Sequence, residues 1–152
     1  METFIVYFDD ADWALRQIEP LIGRSDGALP NAQWVLVACP PRLGRHAGRW
    51  VTRAVRESDR SERAGKLFDG VTPWLQARGA RIVECVGRGS LEAMTRDLRL
   101  AHGQARVLDA RRPRFGQTLE PVTPGQPVAQ ASHWQVPSAV AGMGAALLLA
   151  AE

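Results

Sequence analysis

The chain has 152 residues, 45% of them hydrophobic and 23% charged, with a net charge of +3. These figures exclude wholesale disorder and suit a single domain able to bury a proper core. Lys66 is the only lysine among 19 basic residues. That arginine skew suits planar oxyanions, although genomic base composition accounts for it more simply. Cys39 and Cys85 lie inside apolar runs with no CxxC spacing, and read as reduced thiols of a cytoplasmic protein. No basic leader precedes the first strand, and the longest apolar stretch, Val140 to Ala151, is about 12 residues, too short to span a bilayer. No membrane partner is expected.

Thr3-Phe4-Ile5-Val6-Tyr7-Phe8 is an unbroken apolar run that stops on Asp9 and Asp10. A run without polar alternation predicts a strand covered on both faces, and the acids mark its exit and a helix cap. Ala14, Ile18, Leu21 and Ile22 then share one helical face, with Pro20 bending or shortening the helix. Residues 23–31 read as a loop, and Gln33 to Cys39 as the second buried strand, closed by Pro40-Pro41.

A long helix is expected from about Gly44. Arg45, Arg49, Arg53, Arg56, Arg60 and Arg63 fall within an arc of about 80° of it, opposite Ala47, Trp50, Val51, Ala54 and Val55. No aromatics interleave the stripe and acids flank it, so a solvated face is expected rather than a nucleic-acid surface. Ser58 to Ser61 is expected to loosen the helix and Thr72-Pro73 to bend or restart it. Ala80 to Val86 is the third strand. Gly87-Arg88-Gly89-Ser90 leads into a helix with Leu91, Met94, Leu98 and Ala101 on one face, Ser90 as N-cap and Gly103 as stop. Gln104 to Asp109 is the fourth strand. The β-α-β-α-β-α-β pattern predicts a three-layer, doubly wound α/β/α fold with a mainly parallel sheet in the order 3-2-1-4.

Residues 1–119 are read as that domain and 120–137 as a Pro-rich extended segment. Residues 138–152 read as an apolar helix, packed on the domain or on a second subunit. A fifth edge strand has two candidates, Thr118-Leu119 and Pro127-Val128-Ala129.

Chemical motifs are few. There is no Walker loop, no GxGxxG, no HExxH and no Gly-x-Ser-x-Gly, so no catalytic or metal residues are assigned. Gly87, Gly89 and Ser90, between a strand and a helix, are an anion-site candidate, with ordinary capping as the plainer account. In a 3-2-1-4 order the ends carrying Asp9 and Asp109 face one crevice.

Phe4 to Arg16, with Asp9-Asp10-Ala11 at the turn, resembles the opening strand, Asp-Gly-Ser turn and first helix of the universal stress protein family. Arg81 to Met94 resembles that family's third strand and helix, and Ala105 to Arg111 its fourth strand. The likeness covers about residues 3 to 114. It implies an adenine-nucleotide α-hydrolase-like fold and an ATP- or AMP-like ligand, while a homodimer is expected through the apolar C-terminal helix and tail. The family's Gly-x2-Gly-x9-Gly-[Ser/Thr] ladder is replaced by Asp109-Ala110-Arg111-Arg112-Pro113-Arg114-Phe115-Gly116, so any nucleotide crevice is degenerate. If a ligand is kept, it is expected in the crevice between the first and fourth strands, held by Asp9, Asp10, Asp109, Arg111, Arg112, Arg114 and Gly116. Asp9 and Asp10 are expected on a sugar or base edge, and the three arginines in place of the missing phosphate amides. A regulatory or stress-linked module is the first reading. A ligand-free interaction module, its cleft filled by Phe115 and the tail, is the second, and a nucleotide-acting hydrolase the third.

Overall fold

The computed structural model describes residues 2–22, 31–41, 52–126 and 147–148. The elements are β1 (Glu2–Phe8), α1 (Ala11–Ile22), β2 (Ala32–Ala38), α2 (Arg53–Gln76), β3 (Arg81–Val86), α3 (Leu91–His102), β4 (Arg106–Asp109) and β5 (Leu147–Leu148). The sheet order is β3-β2-β1-β4-β5. The first four strands are parallel, and β5 is antiparallel to β4.

The acid-terminated opening strand is the central member. β1 pairs along its whole length with β2, Glu2 opposite Ala32 through Phe8 opposite Ala38, and on its other edge with β4. Six of its seven residues are buried, as a strand covered on both faces requires. Phe4, Val6 and Phe8 point into one core with Trp34, Leu36 and the inner faces of α1 and α2. Ile5 and Tyr7 point into the other, with Val35, Val37, Val107 and Leu91 of α3. Right-handed crossovers dictate this layering. The chain winds outward from β1 to β3 with both helices on one face, then returns to β4 with α3 on the other. Each large side chain taken from water stabilises by roughly 1.5–3 kcal/mol, so two cores on one strand fix its place and register.

Two expectations about α2 are corrected. Ser58 to Ser61 does not loosen it and Thr72-Pro73 does not restart it: one helix runs from Arg53 to Gln76 with Pro73 inside. The acids and bases around the serines make i,i+4 pairs, Asp59–Arg63 at 3.1 Å and Glu62–Lys66 at 3.6 Å, which offset weak local propensity. Thr52 caps the helix, its hydroxyl accepting from Val55 N. The expected start near Gly44, with Arg45 and Arg49, lies outside the described residues. In α3 the expected Ser90 cap is present, accepting from Ala93 N at 3.3 Å, and Gly103 follows the last turn.

Most of 127–152 also lies outside the described residues. Leu147–Leu148, placed by sequence in a C-terminal helix, is instead a short strand on the free edge of β4. A short apolar run cannot distinguish the two states, and an unpaired backbone edge favours the strand. Thr118-Leu119 is not a strand.

Candidate functional site

The carboxyl ends of the four parallel strands open onto a cleft of ≈ 720 Å³. Helices leave β1 and β3 toward opposite faces, so the loops after β1 and β4 part and leave a crevice between them. Asp9 follows β1 on its wall, Cys39 to Pro41 follow β2, and Gly87 to Gly89 follow β3. Arg111 and Arg114 follow β4, while Arg53, Glu57 and Arg60 enter from α2. The last wall is Gln117 to Glu120. That segment returns over the cleft through a turn at Gly116, whose φ of 74 suits glycine, with Gln117 N donating to Arg114 O. Phe115, expected to fill the cleft, is 83% exposed instead. The turn that brings Gln117 back aims it outward.

Five arginines and three carboxylates line the cleft, a surplus of positive charge. Arg111 is buried and locked. Its Nε and Nη2 donate to Asp109 Oδ1 and Oδ2, each at 2.9 Å, and Nη2 also donates to the Glu120 carbonyl. Gln126 Nε2 donates to the same Asp109 carboxylate at 2.7 Å. Asp9 Oδ1 accepts from the Arg112 backbone N–H at 2.8 Å. Asp10 Oδ1 accepts from Trp13 N, capping α1, and its Oδ2 takes the Arg112 guanidinium at 3.2 Å. The expected ligand residues therefore meet around β1 and β4, but largely bind one another. Asp9, Arg111 and Arg114 reach the cleft; Asp10, Asp109, Arg112 and Gly116 do not line it. Arg88 makes no hydrogen bond or ion pair among the described residues. Arg114 acts on Asp9 and Asp10 only through its charge.

The glycine-rich turn after β3 is in the cleft as well. Gly87 packs closely: a Cβ there would sit 3.0 Å from Cys39 Sγ and 3.3 Å from the Ala38 carbonyl, so any side chain would force those neighbours to give way by a few tenths of an ångström. Its carbonyl accepts from Arg60 Nε at 3.1 Å and from Nη2. Arg63 reaches the Pro41 carbonyl. Part of the arginine stripe is thus folded onto the strand ends rather than solvated. The first amide of α3, Leu91 N, donates to Glu120 Oε1 at 3.0 Å. The chain's own carboxylate holds the place where an anion was expected, favoured there by the helix dipole.

Sequence reasoning missed Arg53, Arg60, Arg88 and Glu120. Pro40-Pro41 was a usable signal, since every parallel strand ends on the same rim. Nothing in the sequence says which arginines of α2 face it.

Partial burial at the strand ends shifts two groups of the site. Burial pushes the Cys39 thiol up to about 12, against the lowering influence of Arg111 and Arg60, so it is not a reactive thiolate at neutral pH. Burial likewise raises the Asp9 carboxyl, partly offset by the Arg112 amide and the charges of Arg114 and Arg111. With the folded value above the unfolded one, the native state binds this proton more tightly. Its penalty is absent below the ordinary carboxylate range and fully present above the raised value. Asp9→Asn, which keeps Oδ1 for Arg112 N, should therefore raise Tm at pH 7, the gain fading as pH falls through the carboxylate range. Thermal melts across pH test this, and a lower Tm at pH 7 would contradict it.

Among the described residues no cluster of three or more His, Cys, Asp or Glu could hold a metal ion, and no helix is long and apolar enough to cross a membrane. Compared with family models, curated proteins and solved structures, the chain matches none.

Proposed function

We propose that the protein is a binding module of the universal stress protein kind, regulatory rather than catalytic, whose cleft takes a phosphate-bearing ligand of the ATP or AMP class. The observation that carries this is the pair Arg88 and Arg114. Both guanidinium groups stand on the wall of a positively lined cleft, and neither is locked in an ion pair as Arg111 is. The cleft lies where open α/β sheets bind ligands, and its volume falls in the range of small-molecule sites. Arginine forks suit phosphate where bulky residues and Pro113 keep the backbone from approaching. The free thiols of Cys39 and Cys85 suit a cytoplasmic setting. A homodimer belongs to the same proposal and is read by sedimentation.

Thermal shift and calorimetry with AMP, ATP and pyrophosphate test the ligand. Saturable stabilisation is expected, weakened roughly tenfold or more in Arg88→Ala/Arg114→Ala, since two charge-assisted contacts are lost. No shift with any of the three would end the proposal.

The second reading, a ligand-free interaction module, is favoured by one observation: Glu120 already satisfies the α3 amide and Arg111 already has Asp109. It predicts a dimer whose Tm ignores nucleotides.

A further inference from the structure

A second cavity lies along α3, sharing no wall residue with the cleft. It is a groove of ≈ 900 Å³ between α3 and the starting ends of β1 and β4. Ala93, Leu100, Ala105 and Pro124 give it an apolar lining, and Arg99 stands in its wall. Arg99 Nε and Nη2 are buried, and neither has a hydrogen-bond partner among the described residues. A guanidinium edge removed from water without an acceptor is costly, and it marks a place where an acceptor belongs.

The identity of the two nitrogens narrows that acceptor. Nε and Nη2 form one edge of the guanidinium, with two parallel N–H groups. Arg111 uses the same edge to grip both oxygens of Asp109 at 2.9 Å. Both nitrogens are closed to water, so the side chain must turn to offer this edge to the groove, where it fits a group with two coplanar oxygens, as a carboxylate has. The other charges set the ligand's charge. Arg106 is already paired with Glu2 at 2.9 Å, and Arg96 lies 3.8 Å from Asp97 on the exposed side of α3. Glu92 and Glu2 stand on the same groove, which disfavours a dianion.

We infer that the α3 groove is a binding site for a small monocarboxylate with an apolar body, its carboxylate held side-on by Arg99 and its hydrocarbon laid along Ala93, Leu100 and Pro124. The site is independent of the nucleotide reading.

The test uses the full chain and three probes that share a six-carbon body: hexanoate, hexan-1-ol and hexyl phosphate. Calorimetry should show saturable binding of hexanoate, none of hexanol at the same concentrations, and weaker binding of hexyl phosphate. Arg99→Gln should weaken hexanoate roughly tenfold or more through loss of both donors. Arg99→Lys, which keeps the charge but not the parallel edge, should not restore it. Arg88→Ala/Arg114→Ala should leave it unchanged, which separates this site from the cleft. Should both Arg99 variants misfold, amide shifts in the wild-type protein decide: hexanoate must move Arg99 and Ala105. Hexanoate binding no better than hexanol, undiminished binding in Arg99→Gln, or amide shifts confined to the cleft would overturn the inference. Tighter binding of hexyl phosphate would overturn the choice of a carboxylate.

Discussion

Replacing Arg111 with alanine is expected to lower the unfolding free energy by about 3–5 kcal/mol, the usual cost of removing one member of a buried ion pair. The side chains are 5% and 14% exposed, and both guanidinium–carboxylate bonds are 2.9 Å. In the variant, Asp109 keeps its charge but only Gln126 as a side-chain donor, while the Glu120 carbonyl loses its guanidinium. The loss would reach beyond β4. Gln126 also accepts from Val122 N, and the fully buried Val122 accepts from Thr95. Residues 120–126 are thus latched to α3 through the partners of Asp109. Small domains are stable by roughly 5–15 kcal/mol, so this single change removes about a fifth or more. Urea titration measures it. A loss below about 1 kcal/mol would show the pair to be solvated like an ordinary surface bridge. The double variant Asp109→Leu/Arg111→Met should recover much of the loss, because it leaves no buried charge unpaired.

Trp34→Ala is expected to cost about 3–5 kcal/mol, from lost transfer energy and the cavity left behind. The ring is 1% exposed and sits opposite Phe4 across the central strand pair. It stacks on Phe4 with centroids 4.5 Å apart and an interplanar angle of 19°. The contact ties β1 to β2 under both helices of one face, so no single element can move in to fill the void. Trp34→Phe should behave differently. It keeps the stack and deletes an indole N–H that is buried with no partner among the described residues, so a cost below about 1.5 kcal/mol is expected. Equal losses in the two variants, read by the same titration, would show that stacking area is not what holds the pair.

Much of this architecture was legible because the signals were local or periodic. The unbroken run from Thr3 to Phe8 announced a doubly covered strand, and the three β-α repeats then left little choice of order. Ser90 and Gly103 marked α3 by the chemistry of its ends. The misreadings come from tertiary context. The serines near 60 suggested a loosened turn, yet Asp59 and Glu62 pair along the helix. Leu147–Leu148 suggested a helix until an open strand edge competed for it. The rim position of Asp9 followed from topology, but the partners of Asp9, Asp10 and Arg111 did not. One of those pairings was nonetheless visible in principle. Asp109 and Arg111 are two residues apart where the chain leaves a strand, and extended backbone turns such neighbours to the same side. The place of Arg60 on Gly87 could not be read from spacing, since it depends on how α2 crosses the sheet.

The central seat of β1 also has a consequence for the newborn chain. β2, its first partner, emerges from the ribosome soon after it, whereas β4 follows at Arg106–Asp109, with most of the chain already made. Until then one backbone edge of this buried, apolar strand stays open, at the low residue rates of translation. Nascent chains stalled before β4 should therefore be the species that chaperones hold and proteases cut.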